Sequence, residues 1–382
     1  MENGNNKVVV IWIDWYAYHV ARFRALHEHQ ALQGRITGLE LVGGAGVHQG
    51  MVFREAVSEP LPIKTLAPKA SWSELGQRRL GLMVWRELEK LQPEVVLVPG
   101  YYTLPGLSAA LWAKWRGRRS VLMTESTEAD HKRTGWKEKF KSLLLRGLFD
   151  WAVAGGSAHV RYLEALEFPT HRIARNYDVV DNHFFARGAD DIRVHRKRSE
   201  WNLPDKYFLF VGRLAEEKNV TGLLENFAAY RRNGGTWSLV IAGDGPLRGT
   251  LENFVERREL ESVVRFAGHH TSVGLLPYYA FAGCFVLPST REPWGLVVNE
   301  AMAAGLPVIV SKRCGCSEDL VEQGVNGFVF DPAKHGAIRE AMESIETRDG
   351  EPLRQMGRNS REVIAQYSPE TWAGEVARIV AA

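Results

Sequence analysis

Two carboxylates stand eight residues apart in the run STREPWGLVVNEAMAAGLPVIVS, residues 289–311. Glu292 precedes a Pro-Trp-Gly turn, and Glu300 lies more than one helical turn beyond it. A carboxylate accepts from two vicinal hydroxyls at once, which suits it to ribose and hexose diols. Gly295 is the predicted helix start, so Gly295, Leu296 and Val297 would offer free backbone N–H groups to an anion. Acids near a helix N-terminus are favoured by the dipole alone, and that accounts for either acid singly. It does not account for an acid, a glycine and a second acid closing an apolar strand beside an anion site.

Other strand ends in the second half carry related chemistry. In VGRLAEEKN a strand closes at Gly212-Arg213, and Lys218 opens the next helix. Two cations on a strand-to-helix loop suit a diphosphate, although a solvated arginine and a surface lysine would look the same in isolation. In IAGDGPLRG, Gly243, Gly245 and Pro246 make a tight turn. In RFAGHH, Gly268 closes a strand and allows close backbone approach to a flat base. The segment GCSEDLVEQGVNGFVFDP is expected to be structural, with Gly324 and Gly327 in turns.

These loops need strands to hold them. Apolar runs at 7–13, 36–43, 94–99, 119–125 and 151–156 alternate with helical patterns such as 74–91 and 105–116. The second half repeats the alternation with runs at 207–213, 237–243, 263–268, 284–289, 307–311 and 327–330. Strands apolar on both faces, separated by helices, mean parallel sheets covered on both sides. The charge-dense stretch 186–205 lacks apolar periodicity and is expected to be a linker. The expected organisation is α/β: domains at 1–185 and 206–366, each a Rossmann-like doubly wound sheet. A final helix at 367–382 could pack back on the first domain. Ligands of such sheets bind at the carboxyl ends of the strands, which predicts an active site in the interdomain cleft.

Composition narrows the classes. A chain of 382 residues exceeds one ordinary core. A net charge of +3 gives no whole-chain field for nucleic acid. Three cysteines, two in a C-x-C, make neither a disulfide framework nor a zinc set, so reduced core residues of a cytoplasmic protein are expected. The N-terminus lacks a basic n-region and a cleavage site. The uncharged run 95–113 is cut by two prolines and two glycines, and reads as a strand feeding a helix rather than a transmembrane segment.

In combination and in order, GRLAEEKN, IAGDGP, FAGHH and EPWGLVVNEAMAAGLPVIVS make residues 205–335 resemble the donor-binding domain of the retaining, GT-B fold glycosyltransferases of glycosyltransferase family 4. The last motif is that family's Glu-x7-Glu. The resemblance implies that Arg213 and Lys218 hold the nucleotide diphosphate, that Glu300 takes the ribose and that Glu292 takes the donor sugar. It also implies that the loop after Phe266 holds the base and that the N–H groups of Leu296 and Val297 hold the distal phosphate. Gly212, Gly243, Gly268 and Gly295 complete the implied donor site. YDVVDNHFF (177–185) resembles the segment that closes the family's first domain. Two stretches depart from the pattern. Where many relatives carry Gly-Gly, this chain reads IDWYAYHVARF. Where many carry a His, Glu125 stands, with His131 six residues on. Glu125, His131 and His19 are therefore the candidates for the group that touches the transferred sugar and the acceptor, with Tyr16 and Tyr101 as further acceptor-side candidates.

No Asp-x-Asp pair is present, so metal-independent transfer from a UDP- or GDP-sugar is expected, with no cofactor. A nucleotide-sugar epimerase and a non-catalytic nucleotide-sugar-binding protein are the alternatives. HKRTGWKEKFKSLLLRGLF (131–149) is basic, and its Trp136, Phe140, Leu143, Leu144 and Leu148 recur near helical spacing. It reads either as a membrane-surface element or as a core-packed helix with a solvated cationic face.

Overall fold

The computed structural model describes residues 7–43, 61–128 and 135–382. The chain forms two compact units, Met1–Val180 with Tyr367–Ala382, and Asp181–Gln366.

The first unit runs β1 (Val8–Trp12), α1 (Ala17–Glu28), β2 (Ile36–Val42), β3 (Ile63–Ala67), α2 (Trp72–Leu91), β4 (Val95–Pro99), α3 (Leu104–Trp115), β5 (Arg119–Thr124), α4 (Gly135–Leu148), β6 (Trp151–Ala154), α5 (Ser157–Ala165) and β7 (Ile173–Ala174). All its strands pair in parallel, in the order β3-β2-β1-β4-β5-β6-β7. The order reverses between β1 and β4, the switch point of a doubly wound sheet. Side chains of α2, α3, α4 and α5 pack together on one face of the sheet. The other face is covered by α1 and by the last helix of the chain. With both faces covered, runs such as VVVIW and VVLVP can be apolar throughout. Thr103 caps α3 by accepting from the N–H of Gly106, with Pro105 in the first turn.

The second unit begins with α6 (Asn182–His195) and continues β8 (Tyr207–Val211), α7 (Val220–Arg232), β9 (Ser238–Ala242), α8 (Arg248–Arg257), β10 (Val264–Gly268), α9 (Ser272–Phe281) and β11 (Cys284–Leu287). There follow α10 (Leu296–Ala303), β12 (Val308–Ser311), α11 (Ser317–Leu320), β13 (Gly327–Phe330), α12 (Ala337–Glu346) and α13 (Glu351–Ile364). Its sheet is also parallel, in the order β10-β9-β8-β11-β12-β13. The final helix, α14 (Pro369–Ala381), belongs to the first unit and buries Trp372, Val376, Ile379 and Val380 there.

The structure differs from expectation in four places. Residues 186–195, expected as linker, continue α6, which Asp181 caps by accepting from the N–H of Phe184. The helix buries only a narrow stripe, Phe185 and Ala189. Phe185 packs edge-on to Tyr279, and Arg193 Nε donates to the Ala280 carbonyl at 2.7 Å. Strands β3 and β7 were not anticipated. Both are edges, one half-exposed and one two residues long, so neither carries the apolar run of a central strand. Gly327 opens β13 rather than a turn, since a Cβ there would lie 2.1 Å from the Val308 carbonyl oxygen. Residues 95–113 form β4 and most of α3, and no helix among the described residues is long and apolar enough to cross a membrane.

Candidate functional site

Within the second unit, the loops after β8, β9, β10 and β11 leave the same end of one parallel sheet. The first two are locked together by backbone bonds. Gly212 N–H donates to the Ala242 carbonyl at 3.0 Å, Leu214 N–H to Asp244 at 2.9 Å, and Leu247 N–H to Leu214 at 3.1 Å. The approach is too close for side chains. A Cβ on Gly243 would stand 1.8 Å from the Gly212 oxygen, and one on Gly245 2.5 Å from the Leu214 oxygen. Glycine is therefore a steric requirement of this crossing.

The loop after β8 is stitched in turn to the loop after β11. Thr290 N–H donates to the Glu217 carbonyl at 2.8 Å, and the Asn219 amide to Pro288 at 3.1 Å. These bonds bring Lys218 against Glu292 in an ion pair, and Ser289 Oγ donates to the same carboxylate at 3.2 Å. The two side chains remain 18% and 13% exposed, so solvent and small molecules reach them. Arg213, on the same loop, is exposed and has no side-chain partner among the described residues.

Glu292 is held from both sides. Its N–H donates to the Arg313 carbonyl at 3.3 Å, and its carbonyl accepts from Gly315 at 3.0 Å. Buried Trp294 fixes the turn by donating to Asn299 Oδ1 at 2.9 Å. Gly295 adopts φ 106°, a left-handed conformation costly for any side chain, and α10 begins immediately after it. The N–H groups of Leu296 and Val297 have no partner among the described residues, while that of Val298 already returns to the Gly295 carbonyl at 2.8 Å. Those of Leu296 and Val297 are two of the three N–H groups, with that of Gly295, that the sequence offers to an anion. Farther along α10, Glu300 Oε2 accepts from the buried Tyr279 hydroxyl at 2.7 Å. Burial and the Glu300 charge both push the Tyr279 phenol up.

Phe266 and Gly268 lie half-buried at the end of β10, with Gly268 at φ 78°. Beyond them His270 Nε2 lies 3.0 Å from the Ala267 carbonyl, and its ring stands 4.7 Å from that of Tyr278. Cys284, Cys314 and Cys316 are buried free thiols whose pKa values burial pushes up, and Cys314 also feels the charge of Glu292. Among the described residues no group of three or more His, Cys, Asp or Glu side chains is placed to hold a metal ion.

In the first unit the structure gathers three of the sequence candidates around a buried ion pair that sequence reasoning missed. Arg22 Nη2 and Asp178 Oδ1 are 3.5 Å apart, and both side chains are 0% exposed. Arg22 Nε donates to the Val179 carbonyl at 3.1 Å, and its guanidinium lies over the rings of Tyr18 and Tyr177, at 5.0 and 4.5 Å. Glu125, immediately after β5, is near enough for its charge to act on Asp178. Burial, then the Glu125 charge, pushes the Asp178 carboxyl well up, against the pull of Arg22. His19, in the first turn of α1, is stacked on Trp12 at 4.7 Å with Nδ1 3.1 Å from the Asp14 carbonyl. Burial and Arg22 hold its imidazole neutral. Tyr16 donates to Asp14 Oδ2 at 2.7 Å, and burial with this bond pushes its phenol up. Tyr101 has a different neighbour, Lys141, whose Nζ lies 5.8 Å from the ring. His131, with Lys132 and Arg133, lies outside the described residues. The buried positions of α1 are His19, Ala21, Arg22, Phe23, Ala25 and Leu26, but Arg24 lies between Phe23 and Ala25, so the sequence does not single out Arg22.

Residues 191–363 match the model of the family described as glycosyl transferases group 1. Alpha-D-kanosaminyltransferase of Streptomyces kanamyceticus is 30% identical over 216 residues, 56% of this chain and 55% of that protein. A GDP-mannose-dependent alpha-(1-6)-phosphatidylinositol dimannoside mannosyltransferase of Mycobacterium tuberculosis is 27% identical, over 77% of this chain and 74% of its own. The chain spans about half the length, or less, of the first curated relatives it matches. Anabaena HepE, solved in complex with UDP and glucose, superposes with a TM-score of 0.74 at 17% identity, over 99% of this chain and 100% of that one. That likeness establishes the fold. The chain thus has the two-sheet GT-B fold, and residues 191–363 of its second unit match the model of the glycosyl transferases group 1 family.

Proposed function

We propose that this chain transfers a sugar from a UDP- or GDP-sugar to a hydroxyl of a glycan, lipid or small-molecule acceptor, retaining anomeric configuration and using no metal or other cofactor. The observation that carries the reading is the meeting of Lys218 and Glu292 immediately ahead of α10. It sets a cation, an acceptor of sugar hydroxyls and unpartnered backbone donors within one stitched pair of loops. Arg213, Lys218 and the α10 N-terminus then stabilise the negative charge that grows on the departing diphosphate. The bond from the anomeric carbon to that diphosphate breaks as the acceptor oxygen bonds on the same face. A donor phosphate oxygen takes the acceptor proton. Tyr16, His19, Tyr101 and Glu125 are the acceptor-side groups of this reading. The same reading has the chain cytoplasmic, with a peripheral membrane contact through residues 131–149.

One relative is GDP-mannose-dependent and one structural neighbour was solved with UDP, so the test begins with both bases. A thermal-shift screen of UDP-, GDP- and ADP-sugars is expected to raise the melting temperature with one base, in a concentration-dependent way. Transfer is then assayed with that donor by NMR of the product anomer, with and without chelator. An inverted product, or activity abolished by chelation, overturns the mechanism. Conversion of donor without acceptor replaces transfer with epimerisation.

Glu292 and Glu300 are expected to separate. Glu300→Ala removes the ribose acceptor and weakens nucleotide binding roughly 10- to 150-fold, the range of one hydrogen bond to a charged group. Glu292→Ala lowers kcat and leaves nucleotide affinity nearly unchanged. Calorimetric titration of the nucleoside diphosphate beside steady-state kinetics measures both. Equal effects on the two quantities would refute the division.

A further inference from the structure

Leu82, Tyr102, Leu104, Leu111, Trp115, Trp136, Phe140 and Leu143 are exposed large apolar side chains, and they crowd one region of the first unit, on α2, α3, α4 and the turn before α3. The second unit has only Val194, Val273 and Val325 of this kind among its described residues, scattered singly. Scattered exposure is ordinary and clustered exposure marks a contact surface.

On α4 the apolar residues divide into two stripes. Leu145 is buried and Leu144 and Leu148 are half-buried, in the packing against the sheet. Trp136, Phe140 and Leu143 point away from it and are 71%, 64% and 72% exposed. At 3.6 residues per turn these three fall within about 60° of one another. Core packing explains the first stripe and leaves the second unexplained. On α3, Leu104, Leu111 and Trp115 repeat the pattern at i, i+7 and i+11, with Trp115 64% exposed and 5.6 Å from the Trp85 ring. Helices α2, α3 and α4 lie on the same face of the sheet.

The surrounding charge is predominantly positive. Residues 72–91, 104–119 and 135–148 carry twelve Lys and Arg against four acids. Of the cations, Arg116 is paired with Glu89 and Arg146 with Glu167, and Arg119 donates to the Ile379 and Val380 carbonyls. Glu138 is already engaged by Lys141 at 3.0 Å. Each exposed tryptophan has a cation over its ring: Arg116 lies 4.3 Å from Trp115 and Lys137 lies 5.6 Å from Trp136. Amphipathic rings beside long cationic stems suit the level where acyl chains meet headgroups. The cationic surplus selects an anionic surface.

We infer that the outer faces of α2, α3 and α4 form one surface that seats this chain on an anionic lipid bilayer, with Trp115, Trp136, Phe140 and Leu143 inserted and the lysines and arginines at the headgroups. This extends the peripheral contact proposed above from one helix to three, and it stands whatever sugar is transferred.

Sedimentation with vesicles of phosphatidylglycerol and phosphatidylcholine in equal parts, against phosphatidylcholine alone, tests it on the full chain. Binding is expected to the mixed vesicles only and to fall as salt is raised. Trp136→Ser/Phe140→Ser/Leu143→Ser and Lys137→Glu/Lys139→Glu are each expected to weaken partitioning by at least about tenfold. An unchanged nucleotide thermal shift in both variants shows them folded. If the wild type ignores anionic vesicles, or the triple variant binds them equally, the inference fails. It also fails if the wild type self-associates at working concentration and the triple variant does not, because the surface then meets a second copy. Failure of every nucleotide to shift the melting temperature would instead count against the proposed transfer, and unfolding midpoints would then report the fold of the variants.

Discussion

Lys218→Ala is expected to lower kcat for sugar transfer by roughly 10²- to 10³-fold, the loss typical of one donor to an oxyanion at about 2.7–4 kcal/mol of barrier. The magnitude follows from where the lysine stands. It is carried by the short turn Glu216–Lys218 directly after β8, and backbone bonds tie that turn to the loop bearing Glu292. Its ammonium is therefore positioned before any donor arrives, and little reorganisation is left for the reaction itself. In the ligand-free chain the Glu292 carboxylate neutralises it. Under the proposed function, a diphosphate competes for the lysine and frees Glu292 for sugar hydroxyls. The readout is kcat together with the unfolding midpoint. The two side chains are mostly buried, so the midpoint is expected to fall as well, because Glu292 loses its partner. A large fall in the midpoint with kcat retained would make the pair purely structural.

Arg22→Met is expected to destabilise the first unit by about 3–5 kcal/mol, because removing one partner of a buried ion pair strands the other. The methionine keeps most of the stem and removes the guanidinium, so packing loss is limited and the effect reports charge. In the native chain Arg22 opposes the upward push that burial and Glu125 exert on the Asp178 carboxyl. Without it the carboxyl is pushed still higher and takes up a proton. A carboxyl whose folded pKa lies above its unfolded value of 3.8 contributes stability fully present below 3.8 and lost as pH rises through the folded pKa. Because the wild-type carboxyl is itself raised, the deficit of the variant should widen only as pH rises beyond the wild-type carboxyl's own raised pKa, and Asp178→Asn added to it should flatten that dependence. Urea unfolding across pH, followed by tryptophan fluorescence, measures this. A deficit independent of pH would show that the guanidinium acts by packing alone.

The parts legible in the sequence are those that local chemistry writes in consecutive residues. Parallel strands apolar on both faces announce themselves, and so do glycines that allow loops to cross, as at Gly243, and a helix start at Gly295 between two acids. What could not be read depends on partners distant in sequence. Arg22 and Asp178 are 156 residues apart, and each alone resembles a surface charge. The pairing of Lys218 with Glu292 is likewise a product of two loops stitched across the sheet end. Edge strands β3 and β7 lack the burial on both faces that makes a central strand visible. Helix α6 is hidden because its buried stripe is narrow. The outward stripe of α4 could not be told from core, since both follow the helical period and only the packed chain shows which one faces away from the sheet.

Helix α14 has a consequence for the order in which the chain matures. The first unit needs Trp372, Val376, Ile379 and Val380 to close the face of its sheet that Trp12 and Phe23 share. Those residues leave the ribosome after the whole of the second unit. The second unit is contiguous, from Asp181 to Gln366, and holds its own core. Although the usual rule is that N-terminal domains finish first during synthesis, here the donor-side unit can complete its fold while the other still waits for its closing helix. Nascent chains halted before Tyr367 would thus carry a finished second unit beside an open first sheet, a state in which chaperones have one exposed face to shield.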